Sequence, residues 1–235
     1  MSERLKVSER PGALTVSLNR PDKRNALSSA LVEDLIGVID DASRRGIEVI
    51  AFQGEGKNFS AGFDFTNWQE HSEGDLVLRF VRIEQLLQRI VRSPAHTMAF
   101  AHGRNFGAGV DLFAVCRQRI CTPDTTFRMP GLKFGLVLGT RRFASIVGRD
   151  RAHEILSSTR TFDAAEANRI GFSTRVAERD EWKSLRDEAT AGIPDPSRAL
   201  LNAALADRML VHDLASLVES AATPGLKQRI ETYLG

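Results

Sequence analysis

Two glycine-containing segments about forty residues apart carry the chemistry this chain can be read for. They are Phe59-Ser60-Ala61-Gly62-Phe63-Asp64 and Gly103-Arg104-Asn105-Phe106-Gly107-Ala108-Gly109. Each follows a stretch that reads as a β-strand, and the second runs into an apolar, helix-like stretch. Small residues at such junctions let a ligand approach bare backbone N–H groups. Two amide donors from separate loops, converging on one oxygen, form an oxyanion hole that stabilises charge developing on a carbonyl. A nucleotide loop fits less well. The second segment lacks the Lys-Ser/Thr pair of a P-loop, and its glycines do not have dinucleotide spacing. Glycines used only for close packing would explain either segment alone, but two segments of similar design, one strand–helix unit apart, weaken that reading.

The elements that must position these loops can be traced from periodicity. Leu14, Val16 and Leu18 alternate with smaller or polar residues after the Arg10-Pro11-Gly12 turn, so the opening reads as two strands. Ser28 or Ser29 caps a helix whose apolar stripe is Leu31, Leu35, Val38, Ile39 and Ala42, with Gly46 ending it. Val49–Phe52 is a short buried-type strand that delivers the chain to the first glycine loop. A polar stretch, Trp68 to Asp75, leads to a helix with the stripe Leu78, Val81, Leu86, Leu87 and Ile90. Thr97–Ala101 is the next strand and feeds the second glycine loop; a helix over Val110–Val115 and a strand near Arg119–Thr122 follow. This alternation predicts an α/β core with right-handed crossovers. Beyond about residue 140 the pattern is helical: Asp163 caps Ala164–Ile170, Gly171 stops it, and helices are expected over Glu181–Ala191, Ser197–Leu205, Val211–Ala222 and from Leu226. The Gly192–Pro196 stretch reads as a turn.

The chain has 235 residues, 42% hydrophobic and 26% charged, the composition of an ordinary soluble globular protein that needs no disulfide or structural metal. A net charge of +2, with no basic stripe interleaved with aromatics, argues against a nucleic-acid partner. No apolar run approaches the ~20 residues that span a bilayer, and the start, Met-Ser-Glu-Arg-Leu-Lys, lacks a signal-peptide core. A cytoplasmic protein without a membrane partner is expected. Cys116 and Cys121 lie in apolar surroundings and read as buried thiols; His96, His153 and His212 are isolated, and no metal site is expected.

Five markers in order carry a resemblance that covers most of the chain. Asn19-Arg20-Pro21 with Asn25-Ala26-Leu27 is similar to the opening signature of the crotonase superfamily, the enoyl-CoA hydratase/isomerase group. Gly54-x-Gly56-x-x-Phe59-Ser60-Ala61-Gly62-x-Asp64 resembles its first oxyanion loop, and Gly107-Ala108-Gly109-Val110-Asp111-Leu112 its second. Phe127-x-x-Pro130-x-x-x-x-Gly135 and Phe162-Asp163-Ala164-x-Glu166-Ala167-x-x-x-Gly171 fall where that family has comparable signatures.

The resemblance implies a crotonase-like ββα spiral core over residues 1–178, with a C-terminal helical region over 179–235 that packs on the core or a neighbouring subunit. It implies a homo-oligomer, trimer or hexamer, that acts on an acyl-CoA thioester. No cofactor would be bound permanently, since coenzyme A arrives as part of the substrate. By position the oxyanion donors would be the backbone N–H groups of Phe63 and Ala108. The resemblance puts Lys23, Arg24, Ala26, Ala61, Gly62, Asp64, Phe106, Gly109, Pro130 and Gly131 along the coenzyme A and substrate path. Lys23 and Arg24 taken alone read as solvated loop charges.

The carboxylates depart from the hydratase pattern, in which two glutamates activate a water and shuttle its proton. The first falls at Asp111, whose carboxyl is drawn back by one methylene, about 1.5 Å. The second should follow Pro130, where this chain has Gly131. Asp111 would then be a single acid–base group, favouring double-bond isomerisation over efficient hydration. The alternatives are a non-catalytic acyl-CoA binding or scaffold protein, or a decarboxylase or thioester hydrolase on the same frame. The turn Gly139-Thr140-Arg141-Arg142-Phe143 is shorter than the family's. Arg141 and Arg142 are expected at the surface or a subunit interface, with the acyl pocket as the other reading. Glu70, His71 and Glu73 read as a mobile surface loop, and His102 as a hydrogen-bonded structural histidine. Arg104 and Asn105 could recognise a polar acyl group.

Overall fold

The computed structural model describes residues 3–191, 197 and 210–235. The expected Ser197–Leu205 helix, Ser197 apart, and the Gly192–Pro196 turn lie outside the described residues. The opening pair is β1 (Leu5–Arg10) and β2 (Ala13–Leu18), an antiparallel hairpin in which Leu5 faces Leu18. Its turn needs Gly12, whose φ of +72° favours a residue without a Cβ. From β2 the chain builds a parallel sheet through β3 (Val49–Gly54), β4 (His96–Ala101), β6 (Gln118–Cys121) and β9 (Arg175–Val176), in the order β1-β2-β3-β4-β6-β9. Val16, Phe52 and Ala99 are fully buried neighbours across three of these strands. Both glycine loops leave this sheet, one after β3 and one after β4.

A second sheet is formed by β5 (Arg104–Phe106), β7 (Thr126–Arg128) and β8 (Thr161–Asp163). Strands of three residues are too short to show a period-2 pattern, so these are not legible from periodicity. Behind them Phe113, Phe127, Phe143, Phe162 and Phe172 pack ring on ring, with centroids 5.1–6.1 Å apart. These rings tie the second sheet to α3 (Ala108–Ala114) and α4 (Thr140–Val147), the two helices that frame the site.

The long crossover helices are α1 (Ser29–Arg44), capped by the Ser28 side chain, and α2 (Glu73–Arg92), closed by a Ser72–Asp75 capping box. Three stripe positions differ from expectation, Val81 being only half-buried. Val38 is only half-buried while Val32 and Ile36 face inward, and Leu78 is 57% exposed. The buried face of α2 runs Leu76, Phe80, Ile83, Glu84, Leu87, which is helical spacing that leaves Leu78 on the opposite side. Two polar residues, Glu84 and Gln88, therefore sit in the buried face of α2.

Beyond α4 come α5 (Arg149–Ser158) and α6 (Ala164–Arg169), the latter capped by Asp163 Oδ1 accepting from the Glu166 amide at 2.8 Å. Then α7 (Trp182–Ala191) lays Trp182 on Phe100 across the sheet. The last two helices are α8 (Leu210–Ala222), which packs on α2, and α9 (Leu226–Leu234), which packs beside the single turn Gly131–Phe134.

Candidate active site

The first glycine loop is held by the Asn19–Leu27 segment. Asn25 is fully buried with φ +54°, a conformation asparagine tolerates better than most residues. Its Oδ1 accepts from the Arg20 amide, and its Nδ2 donates to the Glu55 and Asn58 carbonyls, both at 2.9 Å. Its own carbonyl accepts the Ser60 hydroxyl. The Ala61 amide donates to the Arg24 carbonyl, and the Leu27 amide to the Gly62 carbonyl at 2.7 Å. The second loop is braced on the first: Asn105 Oδ1 accepts from the Ser60 amide, and the Phe106 amide donates to the Ser60 carbonyl. Gly107, with φ +47° and ψ −123°, then turns the chain into α3.

These braces bring the loops into backbone contact. A Cβ built on Gly62 would stand 3.1 Å from the Ala108 nitrogen and 2.3 Å from the Phe106 carbonyl oxygen. Gly109 is pressed equally hard on Ser60, whose carbonyl oxygen would lie 2.5 Å from a Gly109 Cβ. Among the described residues neither the Phe63 nor the Ala108 amide donates a hydrogen bond within the chain. Two unpaired backbone donors thus flank one spot, and both residues line a cavity of about 260 Å³.

The cavity wall is mostly apolar. Phe63, Phe65, Phe80, Phe134 and Tyr233 form a linked ring cluster, with Phe63 and Phe80 stacked at 4.1 Å. Asp111 is the only carboxylate on that wall among the described residues. It stands one turn into α3 and is 3% exposed, and its buried Oδ1 has no hydrogen-bond partner among the described residues. That oxygen rests on Gly139, where a Cβ would come within 1.8 Å of it. Burial pushes the Asp111 carboxyl well above the usual carboxylate range; Arg142 pulls it back down, while Glu84 and Asp213 push it further up.

Neither Arg141 nor Arg142 lines the cavity, and Arg142 is buried rather than at the surface, while Arg141 is half-buried. Arg142 is 5% exposed, and its Nη1 donates to Glu84 Oε1 at 2.9 Å and to Asp213 Oδ2 at 2.7 Å. Arg141 grips Asp213 with two nitrogens at 2.7 Å each. Gln88 completes the cluster by donating to Glu84 and to the Leu210 carbonyl. Sequence reading missed Glu84 and Asp213. The available signal was an acid at a core-face position of an otherwise apolar helix, which demands a buried cation.

The other candidate residues divide between the cavity and its supports. Arg24, Ala61, Phe106, Pro130 and Gly131 line the cavity with Phe63, Ala108 and Asp111; Lys23 is exposed nearby, and Ala26 is buried with its carbonyl accepting from Arg20. Gly62 and Gly109 hold the loops together rather than forming the wall. Asp64 turns inward: Arg20 Nη1 donates to its Oδ2 at 2.8 Å and the Thr66 amide to its Oδ1. Burial opposes its charge, yet those partners hold its carboxyl below the usual range. Asn105 is a buried brace and Arg104 is exposed, and neither lines the cavity. Glu70 and Glu73 are exposed, and neither restores a second acid beside Asp111. His102 is structural, 3% exposed and bonded through Nε2 to the Gly56 carbonyl. Cys116 and Cys121 are free and buried, their thiols pushed up to about 12 and about 11 by burial.

No helix of the described residues is long and apolar enough to cross a membrane, and no group of three or more His, Cys, Asp or Glu among them could hold a metal ion.

The whole chain superposes on a crystal structure from Bordetella parapertussis, assigned to the enoyl-CoA hydratases/isomerases. The TM-score is 0.97 at 56% identity, covering all of this chain and 99% of the other. A probable enoyl-CoA hydratase of Mycobacterium tuberculosis is 31% identical over 182 residues, 75% of this chain and 73% of its own. The human mitochondrial Δ(3,5)-Δ(2,4)-dienoyl-CoA isomerase is 30% identical over 191 residues, 74% of this chain and 58% of its own. The fold is that of the crotonases, an α/β core followed by C-terminal helices. Residues 9–220 match the enoyl-CoA hydratase/isomerase family, and the chain belongs to it.

Proposed function

We propose that this protein isomerises the double bond of an enoyl-CoA thioester through an enolate, with Asp111 as its single proton-moving group. The observation that carries this reading is the pairing, across one cavity, of two unpaired amides with a lone buried carboxyl. The thioester oxygen sits between the Phe63 and Ala108 N–H groups, which stabilise the charge it gains as a proton leaves the neighbouring carbon. Asp111 takes that proton and returns it to the carbon two positions along the dienolate. A carboxyl raised toward the working pH can both take and give a proton, which suits this double role. Hydration needs a second group to activate water, and the residue after Pro130 is Gly131. The apolar, ring-lined wall favours a hydrocarbon or aromatic acyl group over a polar one.

Incubation of 2-enoyl- and 3-enoyl-CoA with the pure protein in heavy water, followed by mass spectrometry, tests this reading. Deuterium uptake with double-bond migration and no added water is the expected result. Addition of water would overturn it in favour of hydration. An unchanged spectrum on hydrocarbon and aromatic acyl groups would instead favour an acyl-CoA binding protein without chemistry.

A further inference from the structure

The ion cluster behind Asp111 has no part in the proton transfer as described, and it is a costly thing to bury. Arg142, Glu84 and Asp213 are 5%, 0% and 8% exposed. Apolar residues of similar volume would join α2, α4 and α8 at least as well, because desolvating charges offsets much of what they gain by pairing. A buried cluster of this kind invites the question of what its charge acts on.

Three observations point to Asp111. The helix that carries both arginines, α4, begins just after Gly139, the residue on which Asp111 Oδ1 rests. Asp111 Oδ1 and Arg142 Nε are both buried polar atoms without hydrogen-bond partners among the described residues. The charges that act on Asp111 are Arg142 from α4, Glu84 from α2 and Asp213 from α8. Arg142 divides its donors between two acids, and Arg141 further occupies Asp213. With two cations and two anions, the cluster is neutral as a unit, so Arg142 is no free counter-ion for Asp111.

We propose that Arg142, clamped by Glu84 and Asp213, is the positioning residue of Asp111, steadying its carboxyl electrostatically without forming a salt bridge to it. The inference rests on the reading of Asp111 as the proton-moving group, and it extends that reading to the groups that set its working state. Removing one acid leaves Arg142 less compensated and strengthens its pull on the Asp111 carboxylate. Removing Arg142 leaves Glu84 uncompensated, with Arg141 still on Asp213, and the excess negative charge repels that carboxylate. The two changes act in opposite directions, which a merely structural cluster would not do.

The test is the titration of Asp111 itself, followed by carbon-13 NMR of protein labelled at aspartate side-chain carboxyls. The Asp111 signal is identified by its loss in Asp111→Asn. In Glu84→Gln the Asp111 midpoint should move to lower pH, in Arg142→Met to higher pH, and in Arg142→Lys it should stay near the parent's. A midpoint unmoved in Glu84→Gln, or moved the same way in the glutamine and methionine variants, overturns the proposal. Should Arg142→Met fail to fold, the near-isosteric Glu84→Gln decides alone. Because this readout needs no turnover, it stays separate from the function: Asp111→Asn with unchanged isomerisation would sink the mechanism while leaving the titration result standing.

Discussion

Gly62 lies against the first residue of the neighbouring loop's helix, so close that a Cβ on it would stand 3.1 Å from the Ala108 nitrogen. The same Cβ would meet the Phe106 carbonyl oxygen at 2.3 Å, and Gly62 has φ +79°. Neither neighbour is a side chain that can swing away. Gly62→Ala should therefore drive the two donor loops apart and reduce kcat by about 10²–10³-fold, the scale of losing an oxyanion donor. Steady-state kinetics would check this, and a variant with near-parental kcat would remove the two-amide hole from the mechanism.

Gly139 bears on Asp111 in a comparable way, since an alanine Cβ there would fall 1.8 Å from Asp111 Oδ1. Gly139→Ala should lower turnover by about a hundredfold through displacement of the carboxyl by roughly 1 Å. Gly46→Ala is the matched control: φ is +66°, as at Gly139, but nothing stands within 4 Å of its Cβ. It should cost about 1 kcal/mol of stability from backbone strain and leave kcat close to the parent's. Equal loss of kcat in both variants would show that strain, not contact with Asp111, is responsible.

Asp111→Asn separates stability from activity. The folded state raises the Asp111 carboxyl above its unfolded range, so as pH rises the unfolded chain loses this proton first. Asp111 therefore lowers stability by an amount that is absent below about pH 4 and grows as pH climbs toward its raised folded value. Asp111→Asn should abolish isomerisation and yet melt at a higher temperature than the parent, with the gap wider at pH 7 than at pH 4. In the parent, kcat/KM for proton removal should rise with pH through a midpoint above the usual carboxylate range. A midpoint near pH 4 would contradict the burial of this group.

His102 sets an opposite dependence. Burial, aided by repulsion from Arg179 and opposed by its bond to the Gly56 carbonyl, holds its imidazole down to about 4. Below about pH 6.5 the unfolded chain takes up a proton that the folded chain refuses, so stability falls on acidification. The loss should reach about 2 kcal/mol at pH 5. His102→Asn lacks this dependence, so urea unfolding should show its deficit against the parent shrinking by that amount between pH 7 and pH 5. A constant deficit would mean that His102 is protonated in the native protein at pH 5.

The glycine loops and their parent strands were legible because each announces itself locally, whereas Asp111 was singled out only through the family resemblance. A glycine at a strand end or a buried apolar strand stands out without knowledge of the fold. Arg141 and Arg142 could not be placed, because a double arginine after a glycine turn is ordinary surface sequence until its partners are known. Those partners come from Glu84, 58 positions upstream of Arg142, and Asp213, 71 positions downstream. Periodicity misplaced Leu78 for a related reason: it counts apolar residues, whereas the buried face of α2 includes Glu84 and Gln88. The three-residue strands β5, β7 and β8 exist only through pairing, which no local pattern records.

The salt-bridged meeting of α2, α4 and α8 also bears on the order in which this chain can mature. Glu84 and Arg142 emerge during synthesis well before Asp213, so a nascent chain carries two arginines with one acid between them. The buried charges of α2 and α4 therefore balance only once α8, among the last elements made, has docked on them, so the C-terminal region completes the core rather than merely decorating it.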